Sequence, residues 1–251
     1  MNDIKFGLKL WSTNYHLLDE ARRLINEDIF HYIELMVIPD TEISPFQKIE
    51  VPYIIHIPHS SFGLNIADKE KEKFNLEIIN QNIKWADELS AKYLILHPDF
   101  GEIKTAKNLL KKIEDKRILI ENMPKVGINM EKMVGFAPEQ IKELMGGKFG
   151  FCLDLNHAIK AAISLKKDYK NHIKDFLKLQ PKVFHISDGN LNKEKDEHLN
   201  IGEGEYDFKF LLNCIKNNDS KLVTLEIPRN NLNSFEENLE NLKKLNHIIE
   251  L

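Results

Sequence analysis

The sequence has little cysteine and no long apolar run. Cys152 and Cys214 are the only cysteines among 251 residues and form no CxxC pair, so no disulfide framework is expected. No apolar stretch approaches the roughly 18–20 residues that span a bilayer. Residues Met1–Trp11 have no apolar segment of the kind found in secretory signals. These absences predict a protein of a reducing compartment, with the cytoplasm as the expected location and no membrane contact.

Arginine is also scarce, and positive charge is not in excess. Lys and Arg total 35 against 39 Asp and Glu, and the net charge of −4 argues against a protein that holds nucleic acid by bulk charge. A locally basic groove remains compatible with this balance. The composition is 42% hydrophobic and 29% charged, which is typical of globular proteins and predicts one domain over residues 1–251. A monomer is expected.

Short apolar runs alternate with longer amphipathic segments along the whole chain. The runs are rich in Ile, Leu, Val and aromatic residues, as expected of buried parallel strands. The predicted strands are Ile4–Trp11, Tyr32–Val37, Tyr53–Ile57, Tyr93–Leu96, Arg117–Ile120, Phe149–Leu155, Val183–Ile186 and Leu222–Ile227. Eight strands in βα alternation predict a (β/α)₈ TIM barrel in the α/β class. A doubly wound open sheet is the alternative, but no GxGxxG follows the first strand.

The helix-period segments between the strands are rich in Lys and Glu. They predict helices over His16–Asn26, Asp68–Ser90, Thr105–Glu114, Pro138–Met145, Lys167–Leu179, Asp207–Asn217 and Ser234–Ile249. The second crossover, Pro39–Glu50, is short and interrupted by proline, so no full helix is expected there.

Polar residues end most of the predicted strands. In a barrel, the carboxyl ends of all strands meet at one rim, where active sites of this fold are built. Imidazoles and carboxylates that converge there require a counter-charge, which a metal ion supplies. Ligation by His, Asp and Glu suits Zn²⁺, with Mn²⁺ or Fe²⁺ as further candidates. The residues concerned are Glu34, His56, His59, His97, Glu121, Asp154, His157, His185, Asp188 and Glu226, together with Asp196 and His198 in the loop after strand 7.

Each of these residues also has an ordinary structural interpretation. A single His after a strand is more often hydrogen-bonded within the fold, and a single Asp or Glu often caps the next helix. The number of strand ends with such a group favours a metal site over independent capping. His56 competes with His59 as the ligand from strand 3, and His59 is preferred.

Several segments in order resemble the endonuclease IV family, the AP endonuclease family 2 group of xylose isomerase-like barrels. The resemblance covers roughly residues 53 to 227. Its motifs are Pro58-His59-Ser60-Ser61-Phe62-Gly63-Leu64-Asn65-Ile66, Leu96-His97-Pro98, Ile120-Glu121-Asn122, Cys152-Leu153-Asp154-Leu155-Asn156-His157, His185-Ile186-Ser187-Asp188, Asp196-Glu197-His198 with Ile201-Gly202-Glu203-Gly204, and Leu225-Glu226.

The resemblance implies up to three zinc ions and a ligand set for each. The first set is His59, His97 and Glu121, the second is Glu121, Asp154, His185 and Glu226, and the third is His157, Asp196 and His198. Two departures stand out. Lys9-Leu10-Trp11-Ser12 replaces the family's Gly-Ala-His-Val-Ser-like stretch, and Glu197 stands where Arg is usual, which is expected to reverse a charge near the phosphate site.

The resemblance implies a hydrolase that cleaves DNA at abasic sites in base-excision repair. Glu121 is the expected catalytic residue, orienting or deprotonating the attacking water, and Phe62, Asp188 and Arg229 are expected to contact substrate. Lysines of the rim loops, Lys125, Lys132, Lys193 and Lys195, are expected to face DNA phosphates. The alternatives are a metal-dependent sugar or sugar-phosphate isomerase or epimerase on the same barrel, with Glu121 and Glu226 as proton-transfer bases, and a metal-binding protein without catalysis.

Overall fold

The predicted barrel is confirmed. The computed structural model describes residues 3–250, and the side chains of residues 3–249. Its strands are β1 Lys5–Trp11, β2 Tyr32–Met36, β3 Tyr53–His56, β4 Leu94–Leu96, β5 Ile118–Glu121, β6 Gly150–Asp154, β7 Val183–Ile186 and β8 Leu222–Leu225. All neighbours pair in parallel, and β1 closes the barrel by pairing with β8, Lys5 opposite Leu222.

The helices cover the outside of the barrel. They are α1 Leu18–Asn26, α2 Glu72–Glu88, α3 Ile103–Leu110, α4 Pro138–Met145, α5 Leu155–Ser164, α6 Tyr169–Leu177, α7 Phe208–Lys216 and α8 Glu236–Glu250. The second crossover has one 3₁₀ turn, Phe46–Lys48, so the expected lack of a full helix is confirmed. Among the described residues, no helix is long and apolar enough to cross a membrane.

The sequence pattern missed α5, which directly follows β6. Its ten residues run Leu155–Ser164, and eight of them are buried, including the polar residues Asn156, His157 and Lys160. The helix begins directly after β6 with no loop between them, and it has one Lys and no Glu, whereas the predicted helices are rich in these residues. The omission matters because α5 carries His157 on its first turn.

Every second side chain of each strand points into the barrel, so the inward-facing side chains form layers. One buried cluster consists of Tyr32, Ile54, Ile95, Leu119, Cys152 and Val183, one residue from each of β2 to β7. The Tyr32 ring crosses this layer so closely that a Cβ on Gly7 would lie 2.2 Å from it. Side chains two residues further along a strand point to the same side. The next inward positions are therefore Glu34, His56, His97, Glu121, Asp154 and His185, so an apolar plug supports a layer of ionisable side chains.

Candidate metal centre

Glu121 lies at the centre of the ionisable layer, at the end of β5. Its carboxylate is fully buried and lies 3.1 Å from His97 Nε2, 3.3 Å from His157 Nδ1 and 3.4 Å from His185 Nδ1. Burial raises the pKa of Glu121, but His97 and His185 outweigh it and hold this pKa well below its usual value. Neither carboxylate oxygen has a hydrogen-bond partner among the described residues.

Among five groups of described side chains with the spacing of a metal site, three together include every predicted ligand except His59. In each group the donor atoms lie within 4.8 Å of one another. Further buried atoms that lack a hydrogen-bond partner in the described part of the chain are His97 Nε2, Asp154 Oδ2 and His185 Nδ1. Buried polar atoms are rarely left unpaired, and a cation satisfies all of these together, so the residues present fit bound metal. The three groups are Glu121, Asp154, His185 and Glu226; His56, His97 and Glu121; and His157, Asp196 and His198.

Glu34 orients the His185 imidazole. Its Oε2 lies 3.0 Å from His185 Nε2 and accepts a second hydrogen bond from Thr224 Oγ1 at 2.6 Å. Burial raises the pKa of Glu34, but His185 and Lys9 lower it to about 2, so the carboxylate is an acceptor and His185 Nε2 donates. Nδ1 is therefore the His185 nitrogen left for a metal ion, and it faces Glu121 and Glu226. Carboxylate–histidine pairs orient metal ligands in this way.

Lys9 places a cation at the floor of the site. Its ammonium donates to Glu34 Oε1 at 2.6 Å and to Glu226 Oε1. Burial lowers the pKa of Lys9, but the two carboxylates more than offset this, and the pKa is raised above its usual value. Sequence reasoning noted Lys9 only as a departure from the family pattern. The sequence did carry a signal: Lys9 stands two residues after Gly7 on β1, so both positions lie on the same side of the strand.

Strand 3 brings His56 into the centre, whereas His59 lies further out. His56 is 1% exposed, and its Nε2 lies 3.6 Å from Glu121 Oε2. His59 follows the strand, and its ring stacks on His97 with centroids 5.3 Å apart. Within the described residues, the groups with metal-site spacing include His56 and not His59. The structure therefore offers His56 as the first ligand from this strand, and His59 remains a predicted ligand at the cavity wall.

The trio of His157, Asp196 and His198 joins α5 to the loop after β7. Asp196 Oδ2 lies 2.5 Å from His198 Nε2 and 3.4 Å from His157 Nε2. The other ring nitrogen of each histidine bonds a backbone carbonyl, that of Glu226 for His198 at 2.7 Å and that of Asn122 for His157 at 2.9 Å. Both Nε2 atoms therefore point at the same carboxylate. Burial lowers the pKa of His198, but Asp196 raises it to about 9.

The three predicted substrate contacts have different positions in the structure. Asp188 is 1% exposed, and its carboxylate accepts the N–H groups of Gly189, Gly202, Gly204 and Tyr206. This carboxylate organises its own loop, and its contact with substrate stays a prediction. Arg229 donates to Asn14 Oδ1 at 3.1 Å and lies over the Phe235 ring. Phe62 stays at the rim, with its ring 5.5 Å from that of His59.

Glu197 pairs its negative charge with two lysines. Its carboxylate binds Lys160 at 2.6 Å and Lys193 at 2.8 Å, and it accepts the Asn190 N–H at 3.0 Å. Burial raises the pKa of Glu197, but the hydrogen bonds from Lys160 and Lys193 lower it to about 2. The Glu197 charge is therefore paired with one lysine on α5 and one in its own loop, and the expected charge reversal near the phosphate site stays a prediction.

The candidate site opens into a cavity of about 400 Å³. Lys9, His56 and Glu226 line it, and Ile128 stands beside it with 71% of its surface exposed. Sequence reasoning missed Asp99, which also lines this cavity and is 1% exposed. Burial raises the pKa of Asp99 to about 6. Its position directly after His97-Pro98 was the available signal.

Comparisons with known proteins agree with this architecture. The family described as xylose isomerase-like TIM barrel matches residues 45–245. A protein of Mycoplasmopsis synoviae named probable endonuclease 4 is 28% identical over 218 residues, covering 78% of this chain and 77% of that protein.

Two solved structures have the same fold. A D-tagatose 3-epimerase-like protein superposes with a TM-score of 0.76 at 22% identity, covering 98% of this chain and 97% of the other. Endonuclease IV from Thermus thermophilus gives 0.71 at 18% identity, covering 98% and 99%. The closed eight-stranded barrel and the family match over residues 45–245 lead to one conclusion: the chain belongs to the family of xylose isomerase-like TIM barrels.

Proposed function

We propose that this protein is a zinc-dependent phosphodiesterase that cleaves DNA at abasic sites. The observation that carries the proposal is the His157, Asp196 and His198 trio next to the Glu121 centre. The trio is in direct contact with the Glu121 centre, since His157 Nδ1 lies 3.3 Å from Glu121 Oε1. An isomerase that polarises one carbonyl needs a single metal, whereas phosphodiester cleavage needs charge stabilisation at both the attacking and the leaving oxygen. The name of the Mycoplasmopsis synoviae relative supports the same activity.

The residues of the chain suggest how the reaction proceeds. Bound zinc would supply hydroxide near neutral pH and stabilise charge on the leaving oxygen. Glu121, kept ionised by the surrounding imidazoles, orients or deprotonates the attacking water. Glu34 keeps the Nδ1 lone pair of His185 directed at the centre. Phe62 at the rim fills the gap that the missing base leaves in the duplex.

Cleavage of a defined duplex tests the proposal. The zinc-loaded protein is expected to cut a duplex on the 5′ side of a single abasic analogue, to spare the intact duplex, and to lose activity with a chelator. His198→Ala should abolish cleavage and reduce the zinc content by one equivalent, because only the trio is disrupted. His247→Ala, on the exposed face of α8, is the control. Near wild-type turnover in His198→Ala would contradict the three-metal mechanism.

A second candidate, a sugar or sugar-phosphate epimerase, is favoured by the cavity itself. Glu121 and Glu226 both approach His185 Nδ1, at 3.4 and 3.3 Å, and the cavity of about 400 Å³ is of a size that holds a small molecule. In this case the two glutamates exchange a proton with carbon next to a carbonyl. Ketoses and ketose phosphates incubated in deuterated water should then acquire deuterium. No incorporation with any of them, together with cleavage of abasic DNA, would reject this candidate.

A further inference from the structure

Lys160 is a buried lysine that stands three residues after His157, the predicted ligand. It lies on α5, is fully buried, and donates to Glu197 Oε2 at 2.6 Å and to the Asn190 carbonyl at 2.9 Å. Residues three apart on a helix share a face. One helix face therefore carries both a ligand of the trio and a cation that binds the loop supplying the other two ligands.

Glu197 lies between those two ligands, Asp196 and His198. The side chains of Asp196 and His198 turn toward His157, while the Glu197 carboxylate turns to Lys160. His198 has a positive φ of 47°, a conformation that costs a non-glycine residue free energy and needs support from its surroundings. Asn156, also on α5, donates to Asp196 Oδ1 and accepts the Tyr206 hydroxyl at 2.6 Å. The loop is thus bound to α5 on both sides of the ligand pair.

We propose that the Lys160–Glu197 ion pair is a positioning device that builds the third metal site. It holds the loop so that Asp196 and His198 meet His157, and neither Lys160 nor Glu197 contacts metal or substrate. The inference rests on the metal centre of the proposed function, but it concerns metal binding and not the reaction. It also accounts for a glutamate between the two ligands, because only a carboxylate at that position pairs with the buried ammonium.

The test is stepwise zinc binding by Lys160→Met, Glu197→Gln and the double variant, measured against a chromogenic chelator. Each variant should bind the third equivalent about 10–100-fold more weakly, as is usual when a group supporting a ligand is lost. The first two equivalents should be unchanged, a selectivity that general destabilisation would not produce. Lys160→Arg should restore part of the affinity. Glu194→Gln is the matched control, because it removes one negative charge from the same loop at the surface, where Glu194 accepts a hydrogen bond from Ser164 at 3.0 Å.

The double variant decides the outcome if a single variant does not fold, since it leaves no unpaired buried charge. A folded double variant that binds the third equivalent as tightly as wild type overturns the positioning role. A wild-type protein that binds only two equivalents overturns both this role and the three-metal mechanism. If the wild-type protein binds three equivalents and the variants lose one of them, the positioning role is supported. If the wild-type protein then cleaves no DNA, the proposed function is refuted.

Discussion

Lys9 shows how one residue sets the charge balance of the centre. Its ammonium is the shared partner of Glu34 and Glu226, and both carboxylates are buried or nearly so. Removing one partner of a buried pair leaves an uncompensated charge, at a cost of about 3–5 kcal/mol. Lys9→Met should therefore lower the free energy of unfolding of the metal-free protein by about this amount at pH 7, as measured by urea denaturation with chelator.

The pH dependence of this difference has a definite sign. The pKa of Glu34 is lowered from 4.5 to about 2, so the stability from its pairing is present above pH 4.5 and lost as the pH falls toward 2. The difference between Lys9→Met and wild type should shrink over this interval. Lys5→Met, at an exposed position on the same strand, should stay within about 0.5 kcal/mol of wild type. Equal stability of Lys9→Met and wild type would contradict the role of Lys9 as the shared partner of Glu34 and Glu226.

His198 predicts a second pH effect, in the opposite direction. Its pKa is raised from 6.5 to about 9, so in the metal-free protein its stabilisation is complete below pH 6.5 and lost as the pH rises through 9. Zinc must displace the same proton, so the affinity for the third equivalent should rise from pH 6.5 to 9. Zinc titrations across this range test the effect, and Asp196→Asn should weaken the pH dependence by removing the partner that raises the pKa. A flat profile would show that His198 is not a ligand.

At the scale of elements, the junction of β6 and α5 combines two roles in Asp154. Its Oδ1 caps α5 by accepting the His157 N–H at 2.6 Å, while Oδ2 has no hydrogen-bond partner among the described residues and faces the centre. Burial raises the pKa of Asp154 to about 6, so replacing it with a neutral group costs the metal-free fold little. The structure therefore shows the cap, and the role of Oδ2 as a metal ligand stays a prediction.

Two substitutions separate these roles. Asp154→Asn keeps an oxygen for the cap, whereas Asp154→Ala loses it, so the alanine variant should be less stable than the asparagine variant by about 1 kcal/mol. Both variants should lose zinc affinity, because neither supplies the anionic oxygen. Denaturation with chelator and zinc competition measure the two effects. Unchanged zinc affinity in both would show that Asp154 is only a cap.

At the scale of the whole molecule, three of the four rim lysines expected to face DNA phosphates already bind other groups of the protein. Lys193 is paired with Glu197, Lys125 donates to the Ser164 carbonyl at 3.2 Å, and Lys195 donates to the Ile128 carbonyl at 2.7 Å. With a net charge of −4, the protein should bind intact duplex weakly. The slope of log K against log salt should be about −2 to −3, which corresponds to two or three neutralised phosphates.

Binding titrations at several salt concentrations, with two variants, test the predicted weak binding and its salt dependence. Lys132→Ala should weaken binding to abasic and intact duplexes alike and reduce the slope by about 1. Phe62→Ala should weaken only abasic binding, because its ring fills the gap in the stack. Equal affinity of the wild-type protein for both duplexes would reject the DNA substrate.

The sequence by itself determined the barrel and most of the metal-ligand candidates. Apolar runs such as Val183–Ile186 exclude water on both faces, and eight of them in βα alternation close a parallel barrel. A polar residue at or near the end of such a run reaches the rim whatever the loops do, so Glu121, Asp154 and His185 could be expected there from the sequence. These features depend on local pattern and on period-two alternation, which the sequence carries directly.

Only the tertiary structure decided which side chains meet and which are already occupied. Pairing across the barrel brought Lys9 to Glu34 and Glu226, and residues from three separate strands cannot be paired from sequence alone. It also put His56 nearer the centre than His59, and it turned Asp188 and Glu197 into supports of their loop. Loop geometry depends on long-range contacts, such as Lys160 with Glu197 across 37 positions, which no local pattern encodes.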